Sequence, residues 1–328
     1  MGFAEIIGHQ RPLEILRLAL GNGRLHHAYL FVGPEGVGKR TVALALAKAI
    51  HCRETKNDYC DRCPDCARIQ AGNHPDVRLV QTLEDKKEIS IKQVREIEKE
   101  LNFRSFSGKR KIAIIDPATL LNTSSQNALL KTLEEPPQNS MIVLIAPNAG
   151  ALLPTLRSRC LRISFGPLAR DEVARYLMSK EGINQDDASL RAALSMGSLG
   201  AAIKFDKDEL LEKRRSWAAL LLPLSAGNYR GAIAAAEAIA SDKDECLGFL
   251  EWAETWYRDL LVHAATENSE DMVNVDMLTE IESQSAKSNF EQMLASFAQT
   301  ARAAGRIQRN LNRRMVLESL FFNVVGRR

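Results

Sequence analysis

Three small groups of residues have types and spacings that could do chemistry. The first is Gly33-Pro34-Glu35-Gly36-Val37-Gly38-Lys39-Arg40, between the apolar run His27–Val32 and the apolar-rich segment Thr41–Ala47. Strand, glycine loop and helix in that order form the context of a phosphate-binding loop. Gly33, Gly36 and Gly38 let backbone N–H groups turn toward a phosphate, and the following helix N-terminus adds partial positive charge. Lys39 then reaches the β/γ phosphates of a nucleotide. Position 40 should carry the hydroxyl that ligates magnesium, and it carries Arg40. The loop suits a phosphate but is badly equipped for hydrolysis.

The second group is Cys52, Cys60, Cys63 and Cys66, spaced C-x7-C-x2-C-x2-C. Two short knuckle spacings let thiolates converge on one tetrahedral metal, and Cys52 supplies the fourth ligand. Four protein ligands leave no open position, so the expected site is structural zinc, not catalytic metal. The competing reading is four unpaired thiols on a surface loop, which is an oxidation liability. Cys160 and Cys246 stand apart and read as ordinary small residues. The third group is Asp116, which ends the apolar run Lys111–Ile115. A strand ending in Asp downstream of a phosphate loop is placed to hold magnesium. The next residue is Pro117, which has no proton acceptor to orient an attacking water.

The elements that must position these residues follow from periodicity. A helix is expected from Gly8 to about Gly21, with Leu13, Leu16 and Leu20 on one face, and a second from the loop to about Ile50. Apolar runs at Val77–Val80, Lys111–Ile115, Met141–Ala146 and Leu161–Phe165 read as strands. The helices between them include one with Val94, Ile97 and Leu101 on its buried face and one that stops at Pro136-Pro137. Strands alternating with helices predict a parallel α/β sheet. From Asp171 onward the pattern is helical only, punctuated by Ser225–Asn228 and the polar stretch Thr266–Asp271. The expected divisions are 1–166 for the α/β part with its cysteine module at about 52–66, 167–207 for a small helical unit, and 208–328 for an all-α unit.

The chain has 328 residues, enough for two or three cores, and 45% apolar with 26% charged residues is ordinary for a globular protein. No run is apolar and long enough to cross a bilayer and the first residues lack a signal pattern, so a cytoplasmic protein without a membrane partner is expected. A net charge of +3 is too small to argue nucleic-acid binding on its own.

Four features occur together and in order: Gly33–Lys39, the cysteine insertion, Leu129–Pro137, and Ser158-Arg159-Cys160. Over about residues 5 to 210 they resemble the AAA+ clamp-loader family of bacterial DNA polymerase III. That resemblance implies an AAA+ domain carrying a zinc insertion, then a helical lid and a C-terminal collar. It implies gamma/tau and delta subunits as partners, with the sliding clamp and primed DNA met through the complex. In the motor subunits of the family a hydroxyl, a glutamate and a sensor arginine stand where this chain has Arg40, Pro117 and Gly200. The arginine of the Ser-Arg-Cys motif, here Arg159, reaches the neighbouring subunit's ATP site. The pattern therefore resembles the family's non-hydrolysing stator, which contributes an arginine finger in trans.

Other readings stay open on the sequence. In a working ATPase, Arg40 replaces part of the metal charge and Thr41 or Asp116 recruits magnesium. Between the two lies a subunit that binds ATP or ADP without turnover. A zinc-finger DNA reader is a third, although no recognition helix with histidines follows the cysteines. Arg302, Arg306, Arg309, Arg313 and Arg314 suit DNA phosphates, an acidic partner, a collar interface, or a solvated helix face with Leu311, Val316, Leu317, Leu320 and Phe321 behind it.

Overall fold

A computed structural model describes residues 2–83, 86–266, 268–269 and 271–326. The chain divides into two compact units, one of residues 1–183 with 197–203 and the other of 184–196 with 204–328. The polar stretch Thr266–Asp271 includes Glu267 and Glu270, which lie outside the described residues.

The first unit runs α1 (Gln10–Gly21), β1 (Ala28–Val32), α2 (Lys39–His51), α3 (Pro64–Gln70), β2 (Val77–Val80), α4 (Ile91–Asn102), β3 (Lys111–Ile115), α5 (Thr123–Glu134), β4 (Ser140–Ala146), α6 (Pro154–Arg157), β5 (Leu161–Ser164) and α7 (Arg170–Lys180). Its five strands form one sheet in the order β2-β3-β4-β1-β5, and every pair is parallel. All residues of β1 and β4 are buried, as a sheet covered on both faces requires. Side chains alternate between two cores. Tyr29, Phe31, Ile112, Ile114 and Val143 face α1 and α2, whereas Leu30, Val32, Ile115 and Leu144 join Val94, Ile97 and Leu129 of α4 and α5. Helix α4 starts at a capping box between Ser90 and Gln93.

The second unit is helical: α8 (Gln185–Leu194), α10 (Lys207–Leu221), α11 (Tyr229–Ile239), α12 (Lys243–Thr266), α13 (Leu278–Lys287), α14 (Phe290–Gln308) and α15 (Arg313–Val325), with α9 (Leu199–Lys204) opening in the first unit. Its core holds Trp217, Phe249, Trp252, Trp256 and Phe321. Asp259, fully buried, accepts the N–H groups of Val273 and Asn274 and the Asn274 side-chain amide, which pins the connection before α13. Arg302, Arg306 and Arg309 are exposed, and Arg314 pairs with Glu237 and Glu318. Ile307, Val316, Leu317, Leu320 and Phe321 lie behind them in the core, but Leu311 is exposed and does not join that layer.

Ahead of β2, buried Asp76 accepts the Ser105 hydroxyl and the N–H groups of Phe106 and Ser107, each at 2.8 Å. Burial works against its charge, but these donors outweigh burial and hold the carboxyl well below the usual carboxylate range. Its folded pKa lies below the unfolded value, so its contribution to stability is full above about pH 4 and is lost as pH falls. Asp76→Ala leaves the N–H groups of Phe106 and Ser107 without an acceptor and takes the carboxylate from the Lys111 ammonium. Urea unfolding at pH 7 is expected to show a loss of about 3 kcal/mol or more, and the gap between variant and parent should shrink toward pH 3.

Candidate functional site

The phosphate loop leaves β1 at its C-terminal end. Gly33, Gly36 and Gly38 have φ of 151°, 72° and 108°, which side-chain-bearing residues rarely adopt. A Cβ on Gly33 would lie 2.1 Å from the Phe165 carbonyl oxygen, so the loop is drawn against the end of β5. Two of its carbonyls are tied to neighbouring segments. The Gly200 N–H donates to Gly36 O at 2.8 Å, and His9 Nε2 bonds Val37 O at 2.7 Å. In a planar trans peptide the C=O and N–H point oppositely, so these contacts turn the N–H groups of Val37 and Gly38 the other way. Sequence reasoning marked Gly200 only as the place of a missing sensor arginine and did not single out His9, because contacts to backbone carbonyls carry no motif.

Lys39 is 6% exposed and its ammonium donates to the carbonyls of Gly33 and Pro34. Burial pulls its pKa down, with Asp116 and Glu35 acting against that shift. An ammonium has three protons, and these two bonds leave one for a ligand in the loop. Arg40 and Asp116, from the start of α2 and the end of β3, form an ion pair through the Arg40 Nε–H. The carboxylate expected to hold magnesium is thus engaged by the side chain that stands in place of the magnesium-binding hydroxyl. Thr41 is exposed on α2. The residues present fit a nucleotide's phosphates and do not fit magnesium. Gly200, where the resemblance places a sensor arginine, has no room for a side chain without movement of the loop, since a Cβ there would meet Gly36 Cα at 3.0 Å.

The four cysteines converge. Their sulfur atoms lie within 4.8 Å of one another and all four residues are buried. Tetrahedral zinc with Zn–S of about 2.3 Å needs sulfurs about 3.8 Å apart, so the donor set fits a closed structural site. Cys52 ends α2, and its sulfur accepts the Thr55 hydroxyl at 3.0 Å and the Thr55 N–H at 3.4 Å. The Cys63 N–H points at the Cys60 sulfur at 3.3 Å. Burial alone would push the Cys52 thiol up, but the Thr55 bonds prevail and bring it to about 6, while burial pushes Cys66 up to about 12.

Sequence reasoning left out α3, which begins at Pro64 and carries Cys66. Proline at the first helical position was the available signal. Arg53 grips Asp65 of this helix with two bonds of 2.6 and 3.1 Å. Tyr59 packs edge-on against Phe3 at 5.5 Å, and Tyr59 and Ile69 belong to the same core as β1 and β3. The insertion is therefore built into the α/β core and does not hang from it on a metal alone. A neighbouring buried trio, His51, His74 and Asp76, also has ligand atoms within 4.8 Å. The Asp76 N–H occupies His74 Nδ1, and the Asp76 carboxylate already accepts three hydrogen bonds with the Lys111 ammonium 3.3 Å away, which disfavours a cation there.

Arg159 follows α6 and precedes β5. Leu161 stands beside Tyr29 in register, near the start of β1, whereas the phosphate loop leaves the end of β1. At about 3.3 Å per residue, the four-residue step from Tyr29 to Gly33 alone spans about 13 Å. The guanidinium turns toward α5, pairing with Glu134 and donating to the Thr155 carbonyl at 2.7 Å. It is directed away from its own chain's loop and is half-buried.

Residues 8–169 match the family described as DNA polymerase III, delta subunit, and residues 209–325 match its C-terminal counterpart. Subunit delta' of Bacillus subtilis strain 168 is 35% identical over 204 residues, which is 62% of this chain and 61% of that protein. Subunit delta' of Escherichia coli K12 is 30% identical over 259 residues, or 78% and 75%. Subunit gamma of Buchnera aphidicola from Acyrthosiphon pisum is 33% identical over 193 residues, or 58% and 53%. The chain thus spans 61% and 53% of the Bacillus and Buchnera relatives. No described helix is long and apolar enough to cross a membrane. Since the Escherichia coli match reaches three quarters of that relative's length and both parts of the chain match DNA polymerase III delta-subunit models, the chain belongs to the DNA polymerase III delta-prime family.

Proposed function

We propose that the chain is the non-hydrolysing stator of a clamp loader that places the sliding clamp on primed DNA. In this reading it completes the ATP site of an adjoining gamma/tau subunit with Arg159, and its other partners are delta, the clamp and DNA. Residues 1–166 act as the P-loop domain, 167–207 as the lid and 208–328 as the collar. Zinc on Cys52, Cys60, Cys63 and Cys66 holds the insertion. The observation that carries the reading is the Arg40–Asp116 pair, which fills the place of a magnesium-binding hydroxyl and neutralises the carboxylate that would face the metal. Pro117 supplies no base beside it. Arg159, directed away from this loop, is free of any duty toward its own chain's nucleotide.

The resemblance to gamma subunits and the intact Gly33–Lys39 loop favour a second reading, a hydrolysing motor. Phosphate release by the purified chain separates the two. With ATP and magnesium, no turnover above the buffer rate is expected. Steady turnover that disappears in Lys39→Ala would establish the motor.

A further inference from the structure

The loop keeps every device for holding phosphate and has lost those for holding the metal. The Val37 and Gly38 N–H groups are turned opposite to the bonded carbonyls of Gly36 and Val37, α2 presents its N-terminus, and Lys39 sits 94% buried with one ammonium proton uncommitted. Arg40 engages Asp116 through Nε, and its side chain is 45% exposed, so its two terminal amino groups keep donors to spare. A guanidinium of this kind suits a phosphate, whose oxygens accept two parallel N–H bonds.

From this juxtaposition we propose that the loop is a magnesium-independent site for a nucleoside di- or triphosphate, with the Arg40–Asp116 pair standing where a divalent cation would. The inference rests on the phosphate-loop reading. It does not depend on Arg159 or on the stator role. A metal ion entering here would have to displace Arg40 from Asp116 and then lie beside a fixed positive charge. Free ADP or ATP keeps its full negative charge for Lys39 and Arg40, whereas magnesium in solution masks part of it. Divalent metal therefore works against binding at this loop, the reverse of its effect at an ordinary P-loop.

The test is calorimetric titration of the full chain with ADP and with ATP, in excess EDTA and again in excess magnesium. Binding of one nucleotide per chain is expected in EDTA, about tenfold weaker in magnesium. Lys39→Ala should abolish it in both buffers. Arg40→Thr, which restores a hydroxyl and frees Asp116, should make binding depend on magnesium. Circular dichroism and thermal unfolding of both variants check that the fold is kept. Binding only in magnesium, binding that survives Lys39→Ala in a folded protein, or no binding in either buffer would each overturn the proposal. Stimulated hydrolysis by a reconstituted loader carrying Arg159→Ala reports on the stator reading separately, so one idea can fail while the other stands.

Discussion

If the chain is the proposed stator, replacing Arg159 by alanine is expected to slow ATP hydrolysis at the adjoining gamma/tau site by about 10³-fold, the lower end of what an arginine finger supplies in trans. The guanidinium would act on charge that develops on the transferred phosphoryl group, so the loss should fall on turnover and leave nucleotide affinity nearly unchanged. Arg159→Lys keeps the charge but not the planar fork, and should recover only part of the rate. The fold should tolerate both changes. Arg159 is paired with Glu134, a side chain that is half exposed, and surface pairs of this kind contribute about 0–1 kcal/mol. The measurement is single-turnover phosphate release by a loader reconstituted with the variant, in the presence of clamp and primed DNA. Sedimentation of the same sample should show that the complex still assembles. Because a loader has several ATP sites, the loss should appear as a missing fast phase and not as a uniform slowing. Wild-type kinetics from an assembled Arg159→Ala complex would remove Arg159 from the site.

The resemblance to clamp loaders was visible in the chain because its signals are local. Glycines at fixed offsets, alternating apolar runs and two cysteine knuckles each occupy a few consecutive residues. The parallel sheet followed from the same patterns, since strands buried on both faces read as continuous apolar runs. What escaped was set by packing between distant segments. Arg40 and Asp116 could each be singled out as departures from or matches to a motor subunit, but their pairing is made only when β3 and α2 come together across 76 residues. Gly200 read as a lost sensor arginine, yet its position against Gly36 is a matter of backbone approach, which residue types do not encode. Glu134 beside Arg159 depends likewise on where α5 ends relative to β5. The cysteine module carries one further local signal. Arg53 and Asp65 adjoin Cys52 and Cys66, and a charged pair flanking ligands is a reasonable expectation for the outer layer of a metal site. Leu311 was placed in the helical core by its apolar character, although it lies between α14 and α15 and faces solvent.

Loss of the proposed zinc is the other change with a large expected effect, and the distribution of tryptophan makes it measurable. Structural zinc contributes about 10–16 kcal/mol to small finger peptides that have no core of their own. Here the module also leans on Phe3, Tyr59 and Ile69, on the Arg53–Asp65 pair, and on Lys48, which pairs with Asp61 and lies 5.3 Å from the centre of the Tyr59 ring. The loss from Cys63→Ser should therefore be a fraction of that range, on the order of 3–5 kcal/mol. All three tryptophans, Trp217, Trp252 and Trp256, belong to the helical second unit. Their fluorescence reports that unit alone, whereas Tyr29 and Tyr59 lie in the core that includes the cysteines. The parent chain is expected to carry one zinc per molecule by elemental analysis, and Cys63→Ser less than a tenth of that. In urea the variant should lose tyrosine and circular-dichroism signal early while its tryptophan transition stays in place. Metal-free parent protein, or a Cys63→Ser variant whose first transition does not move, would mean that burial and the Arg53–Asp65 pair suffice to hold four free thiols together. A first unit that fails to fold at all in the variant would instead put the metal's contribution above the estimate, toward the value for modules without a core.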